Sequence, residues 1–196
     1  MKKKFIIILF FILNFNLTQS LANDINEFEI GPISLGQSLL DYTDKNQIES
    51  LKSDSQYSNN KYIRYEISKI VSFENYDYVD VMVKNKTQKY VIEGISASIY
   101  YDKLSKCLEI KSDIQKNVEN ILIADDKQET KFPSNQDSSG KSMIYGVQYY
   151  TKPYPSNEAI IINCYHMTNE SNINRVLRIS VNTHEYALFI VNQSSN

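Results

Sequence analysis

Two cysteines are the residues of this chain most able to do chemistry, namely Cys107 and Cys164. A cysteine thiolate is a nucleophile, and a histidine within hydrogen-bond reach can act as its general base. His166 lies two positions after Cys164, so in a β-strand both side chains would face the same side. One hypothesis is therefore a cysteine-dependent hydrolase that uses Cys164 with His166 or His184.

The competing interpretation is a disulfide between Cys107 and Cys164. An activated cysteine needs an electropositive and partly open environment, whereas Cys164 closely follows the apolar run Ile160–Ile162. Cys107 falls on the apolar stripe of a predicted helix. In an oxidising compartment, two cysteines of this kind usually form one bond. The sequence predicts this disulfide, and we assign no catalytic residue.

The residue spacings match no metal-binding or nucleotide-binding motif. The two histidines lack a ligand spacing such as His-x-x-x-His, and Asp77 and Asp80 lack the oxygen-rich loop that calcium requires. The segment Gly140–Ser142 is similar to the end of a phosphate-binding loop. However, position 135 is Asn instead of Gly, and the segment leads into a predicted strand. We therefore predict no metal and no cofactor.

The amino terminus bears on the compartment in which the cysteines reside. Three lysines, Lys2–Lys4, precede the apolar run Phe5–Leu13, and the small residues Ser20 and Ala22 follow it. This is the layout of a secretory signal, and the apolar run is far shorter than the ~20 residues of a membrane-spanning helix. We expect residues 1–22 to be a cleaved signal peptide. The remaining chain is then periplasmic or secreted, without a membrane span.

Charge and length narrow the possible partners. The formal net charge is −2, and it becomes −5 when Lys2–Lys4 are removed. A mildly acidic surface gives no electrostatic footprint for nucleic acid. The length of the segment 23–196 is typical of one domain. We expect a single globular domain over 23–196 that binds an unknown envelope protein or a small ligand, and its oligomeric state is left open.

Three helices are predicted. Ser34 with Gln37 fits a capping box before a short helix over 38–42, and Thr43-Asp44 can cap a second short helix. A long amphipathic helix is predicted from Asp102 or Ser105 to about Ile123. Its apolar stripe recurs at three- and four-residue steps, at Cys107, Ile110, Ile114, Val118, Ile121 and Leu122.

Alternating apolar and polar residues predict the strands. Gly94 inside one of them indicates a bulge or a close backbone approach, and the polar segment Asp125–Lys141 is predicted to be a long loop. Because strands and helices come in runs, we expect an α+β fold. Its mainly antiparallel sheet carries the long helix and the two short N-terminal helices on one face. The predicted strands are 27–30, 62–67, 76–83, 90–101, 142–150, 159–167, 175–182 and 186–191.

The possible binding surface combines the Asp125–Lys141 loop, including Lys141 itself, with a tyrosine-rich turn. Tyr149, Tyr150 and Tyr154 gather near Pro153 and Pro155, and exposed tyrosines can recognise a peptide or a sugar. The alternative is that they are strand residues with one solvated end. The predicted function is a non-enzymatic binding or envelope-associated domain. A third hypothesis is an inhibitor or assembly module that acts on another envelope protein.

Several short segments of the chain resemble segments of other exported proteins. They include Ile33–Tyr42, Phe73–Asp77, Ser139–Ser142, Cys164-Tyr165 and Leu177–Ile179. Together they resemble a group of uncharacterised periplasmic proteins from AT-rich, small-genome marine bacteria. The resemblance implies an exported family without a known activity.

Overall fold

The computed structural model describes residues 25, 28–53, 61–135, 137, 139–152, 158–168 and 175–194. The predicted signal peptide, residues 1–22, lies outside the described residues, and so does Tyr154. In this part of the chain the elements follow in the order β1 (Glu29–Ile30), β2 (Ile33–Ser34), α1 (Lys45–Ser50), β3 (Tyr62–Glu66), β4 (Tyr78–Lys84), β5 (Ile92–Tyr100), α2 (Leu104–Ile121), β6 (Asp126–Pro133), β7 (Met143–Tyr150), β8 (Ala159–His166), β9 (Val176–Asn182) and α3 (His184–Ser194).

Seven strands form one sheet in the order β3-β4-β5-β9-β8-β7-β6. Every neighbouring pair is antiparallel. The last strand, β9, inserts between β5 and β8, so it joins the β3-β4-β5 meander to the β6-β7-β8 meander. A separate hairpin of β1 and β2 turns at Gly31, which adopts a left-handed φ of 61°. The predicted α+β class with a mainly antiparallel sheet is confirmed.

One face of the sheet carries the hydrophobic core. Alternate residues of each strand point to this face, because successive side chains of a strand point to opposite sides. The long helix α2 packs on it against β8 and β9. Its buried residues include Cys107 and Val118, whereas Glu109 and Asp113 face solvent. The core-face residues of the central strands are Ile95, Ala97, Ile160, Ile162, Leu177, Ile179 and Val181.

The short helices at the N-terminal end differ in part from the prediction. The first is a 3-10 turn over Leu39–Asp41, and its cap is Ser38 instead of Ser34. Ser34 lies in β2, although Gln37 does accept a hydrogen bond from its backbone N–H at 2.9 Å. The second short helix, α1, begins after Asp44, which caps it as predicted. Both pack into the same core as α2.

The C-terminal segment forms α3 instead of the predicted strand over 186–191. Tyr186 and Phe189 are three positions apart, so a helix places them on one side. There they pack with Tyr62 and Met82 in a second, smaller apolar cluster. This cluster lies on the sheet face opposite α2. The predicted set of one long helix and two short N-terminal helices is therefore not matched, because α3 is a further helix on the other face. A short apolar run does not distinguish a strand from a helix by periodicity alone.

The segment Asp125–Lys141 was predicted as a loop, but it contains the edge strand β6. This strand pairs with β7 over its full length, from Asp126 opposite Tyr150 to Pro133 opposite Met143. Its side chains are mostly exposed on both faces. An exposed edge strand has no apolar alternation, and for this reason the pattern indicated a loop.

Candidate functional site

The two cysteines form a disulfide that ties the first turn of α2 to β8. Cys107 and Cys164 are both completely buried, and the bond closes a segment with a sequence separation of 57. A bonded sulfur has no thiolate, so Cys164 cannot act as a nucleophile in this state. His184 begins α3, on the face of the sheet opposite Cys164. The structure therefore provides no thiolate for the cysteine-hydrolase hypothesis.

Two residues of the predicted binding surface, Tyr149 and Tyr150, do not share a face of the sheet. Tyr149 and Tyr150 are neighbours in β7, so they point to opposite faces of the sheet. Tyr149 is only 2% exposed, and its hydroxyl donates a hydrogen bond to Glu119 at 2.8 Å. Burial and then the Glu119 carboxylate raise the pKa of Tyr149 to about 12. Tyr149 thus stabilises the contact between β7 and α2, while Tyr150 and the exposed Lys141 lie outside that core.

A cavity of about 240 Å³ lies on the sheet face opposite α2, and we call it the sheet-face cavity. The alternation of β9 explains its chemistry. Because Leu177, Ile179 and Val181 point to the core, Arg178 and Ser180 must point the other way. Residues of four neighbouring strands, β4, β5, β9 and β8, and of α3 converge there. They include Ser96 on β5, Asn163 and Tyr165 on β8, Arg178 and Ser180 on β9, and Tyr186 and Ile190 on α3.

The helix α3 forms one wall of this cavity, and Gly94 allows it to do so. A Cβ atom at Gly94 would lie 2.6 Å from the ring carbons Cδ1 and Cε1 of Tyr186. The ring also packs edge-on against Tyr62, with 4.9 Å between the ring centroids. The sequence indicated a bulge or a close backbone approach at Gly94. The register between β4 and β5 shifts beside this glycine, between Met82 and Val83, and an aromatic ring of α3 approaches it closely.

Arg178 is the charged side chain that lines the sheet-face cavity. It lies between Asn163 of β8 and Ser98 of β5, each of which is its direct partner in the sheet register. The ring of Tyr165 lies 5.4 Å from the guanidinium carbon, within the range of a cation–π contact. Among the described residues, the buried Arg178 Nε–H has no hydrogen-bond acceptor. An unsatisfied buried donor of this kind costs folding free energy.

Asp80, an acidic residue on the same face of the sheet, forms a buried ion pair with Arg64. Asp80 is 1% exposed, and Arg64 Nη2 donates to its Oδ2 at 2.7 Å. Burial raises the pKa of Asp80, while Arg64 and, more weakly, Arg178 oppose that shift. Glu66, which also acts on Asp80, is itself paired with Lys69 at 2.8 Å. Arg178 therefore makes no direct ion pair with these carboxylates.

A second cleft, of about 390 Å³, lies between α1 and the turn that joins β4 to β5. Lysines at its rim, such as Lys45 and Lys86, are exposed, and Lys84 is bound to Glu185 at 2.7 Å. A ligand in this cleft would have to order long, solvated side chains, which reduces the net gain in free energy. The sheet-face cavity is better organised, because strands hold its polar groups.

Comparisons with protein-family models, with curated proteins and with solved structures found no match for this chain. Among the described residues, no helix is both long and apolar enough to cross a membrane. The same residues contain no cluster of three His, Cys, Asp or Glu side chains that could hold a metal ion. The candidate site thus rests on the geometry of this chain.

Sequence reasoning did not identify the sheet-face cavity, although one signal was present. Arg178 interrupts the apolar pair Leu177 and Ile179, and Asn163 separates Ile162 from Cys164. A polar residue within an apolar strand points away from the core. These two positions could be assigned to the opposite face, but their pairing across β8 and β9 needs the strand order, which a single sequence does not contain.

Proposed function

We propose that this protein is an exported, non-enzymatic binding domain that holds a small ligand in the sheet-face cavity. The observation that carries the proposal is the convergence of Asn163, Arg178 and Ser180 from neighbouring strands on one cavity. Small-ligand sites typically combine an apolar lining with a few polar groups that converge on one point. Arg178 supplies such a group, and its Nε–H has no hydrogen-bond acceptor among the described residues.

Two independent features support export. The sequence has the layout of a signal peptide over residues 1–22, and Cys107 and Cys164 form a disulfide. Disulfides persist mainly in oxidising compartments such as the periplasm. Intact-mass measurement of the native protein from its periplasmic or culture fraction tests this part. We expect the mass of residues 23–196 with both thiols oxidised, and a protein that retains residues 1–22 would contradict export.

Binding can be tested by NMR on the ¹⁵N-labelled mature protein with a library of small molecules of mixed charge. We expect the amide signals that shift to belong to β5, β8, β9 and α3. Shifts that cluster elsewhere, or no shifts at all, would contradict the proposed site. The library should contain acids, amines, alcohols and sugars, so that the result does not depend on one ligand class.

A variant that fills the sheet-face cavity tests whether the ligand binds inside it. Ser180→Phe places a ring in the cavity, and we expect it to abolish the shifts. Gln128→Phe is the matched control, because Gln128 points to the same face of the sheet from the exposed edge strand β6. The control should bind as the unmodified protein does. Equal binding by Ser180→Phe would show that the ligand lies outside the cavity.

A further inference from the structure

We propose that the ligand of the sheet-face cavity is a small carboxylate, and that Arg178 receives its carboxylate group. This inference rests on the proposed function, because it names the ligand class of the same cavity. The guanidinium group of arginine is a planar fork of N–H donors, and it matches the two oxygens of a carboxylate. In Arg178 the Nε–H donor of that fork is unsatisfied among the described residues.

The surroundings of Arg178 hold the guanidinium in place. The Tyr165 ring lies 5.4 Å from it, and the Tyr165 hydroxyl accepts a hydrogen bond from Asn163 Nδ2 at 3.4 Å. The backbone carbonyl of Tyr165 in turn accepts a hydrogen bond from the Tyr101 hydroxyl at 2.9 Å. A cation that the fold already orders loses less conformational entropy when it binds an anion.

The charges of this face favour an anion over a neutral ligand. Asp80 is the carboxylate whose pKa Arg178 influences, but the direct partner of Asp80 is Arg64, at 2.7 Å. Arg178 therefore contributes a positive charge that no ion pair within the described residues neutralises by direct contact. In a partly buried cavity, where the effective dielectric is lower than in water, this charge attracts an anion more strongly than at an exposed site.

The apolar lining and the size of the cavity determine the chemistry of the part of the ligand that lies away from its carboxylate. Met82, Ile161 and Ile190 contribute apolar side chains, and Tyr186 contributes a ring. The cavity volume of about 240 Å³ is below the ~300–1,000 Å³ that is usual for drug-sized ligands. The ligand class is therefore a carboxylic acid with a short aliphatic chain or a single ring.

Two matched probes distinguish the contribution of the ligand's charged group to binding from that of its apolar chain. We would measure the affinities of hexanoate and hexanamide by NMR titration of the mature protein, because the two differ mainly in the charged group. We expect hexanoate to bind about 10-fold more tightly or better, since a hydrogen bond to a charged group contributes about 1.5–3 kcal/mol. Equal affinities would overturn the carboxylate assignment and leave the proposed binding function intact.

Variants then identify the receiving group. Arg178→Met should weaken hexanoate about 10-fold or more and leave hexanamide unchanged, and Arg178→Lys should fall between because it keeps the charge without the fork. If Arg178→Met does not fold, as judged by far-UV circular dichroism, Arg178→Lys tests the receiving group, and the comparison of the two probes on the unmodified protein still tests the carboxylate assignment. Failure of hexanoate to bind would overturn the carboxylate assignment, whereas equal binding by Ser180→Phe would contradict the proposed function itself.

Discussion

Arg64 and Asp80 form an ion pair at 2.7 Å in which the two partners are buried to very different extents. The Asp80 side chain is 1% exposed, whereas the Arg64 side chain is 26% exposed. Removal of one partner is therefore not equivalent to removal of the other. A buried carboxylate without its cation is costly, while an arginine that reaches solvent can be hydrated in place of its partner.

We predict that Arg64→Met lowers the free energy of unfolding by about 3–5 kcal/mol. Asp80→Asn should cost clearly less, because it removes the buried charge. The double variant should be more stable than Arg64→Met alone. Urea unfolding followed by far-UV circular dichroism measures all three. A loss for Asp80→Asn as large as that for Arg64→Met would contradict this asymmetry.

The pH dependence of stability provides a second test of Asp80. Burial raises the pKa of Asp80 in the folded protein above its ordinary value of 3.8. The folded state therefore binds this proton more tightly than the unfolded state does. A raised folded pKa means that stability increases as the pH falls through that pKa toward 3.8, and is lost again as the pH rises.

We predict that the unmodified protein gains stability relative to Asp80→Asn as the pH falls from neutral toward 3.8. Comparison of the two proteins by urea unfolding at each pH cancels the contributions of the other carboxylates. Arg64→Met should show a steeper dependence, because Arg64 lowers the pKa of Asp80. A difference that is independent of pH would show that Asp80 keeps an ordinary pKa in the folded state.

The disulfide should account for a large part of the stability. Its sequence separation of 57 corresponds to about 4 kcal/mol of lost loop entropy in the unfolded state. We predict that the double variant Cys107→Ala/Cys164→Ala is less stable by up to about this amount. The unmodified protein under a strong reductant is the control, and it should lose a similar amount. Unchanged stability in both would contradict the bond.

A helix or strand can be predicted from the sequence when a local feature, such as a capping residue or an apolar stripe, encodes it. The α2 stripe predicted from Cys107 to Leu122 depends on local spacing; Cys107, Val118 and Leu122 are buried, whereas Ile121 is exposed. The Asp44 cap also depends on local spacing, so it could be identified before the fold was known. With the exception of β6, the strands of the antiparallel sheet could also be predicted from local residue patterns. The α+β class could thus be predicted from the chain alone.

Other elements depend on contacts between distant residues. The α3 segment is apolar and short, and its helical form is stabilised by Tyr62 and Met82, which lie far away in the sequence. The β6 strand exists because β7 supplies hydrogen bonds to an otherwise polar segment. The sheet-face cavity needs β5, β8 and β9 to be neighbours. None of these pairings can be read from local residue patterns.

Two neighbouring tyrosines of β7 offer a matched comparison. The Tyr149 hydroxyl is buried and donates to Glu119 at 2.8 Å, whereas Tyr150 is half-buried on the other face and bonds to Gln148 of its own strand. We predict that Tyr149→Phe lowers the free energy of unfolding by about 1 kcal/mol. Tyr150→Phe should be close to neutral, because solvent can replace its bond. Equal effects would contradict a structural role specific to Tyr149.

Tyr149 should also be recognisable by its titration. Burial raises its pKa to about 12, so its hydroxyl should stay protonated at pH values that ionise exposed tyrosines. Ultraviolet difference spectra of the unmodified protein and of Tyr149→Phe, recorded at rising pH, isolate this one group. A Tyr149 signal that appears near the ordinary tyrosine pKa of 10.0 would show that the hydroxyl is accessible to solvent.

The contact between Gly94 and Tyr186 connects stability to the candidate site. An added methyl group at Gly94 would lie 2.6 Å from the Tyr186 ring, so either the ring or α3 must move. We predict that Gly94→Ala lowers the free energy of unfolding by about 1–3 kcal/mol, the usual cost of overpacking. Because Tyr186 and Ile190 line the sheet-face cavity, the same change should also weaken any ligand bound there.

The double variant Gly94→Ala/Tyr186→Leu distinguishes this clash from a backbone effect of the glycine. Leucine lacks the ring carbons that the methyl group would meet. Gly94→Ala should therefore lower the free energy of unfolding less in a Tyr186→Leu background than in the unmodified protein. In the double-mutant cycle, the loss in the double variant should be smaller than the sum of the two single losses. If the cost of Gly94→Ala is the same in both backgrounds, then β5 strain, and not the approach of α3, accounts for the glycine at this position.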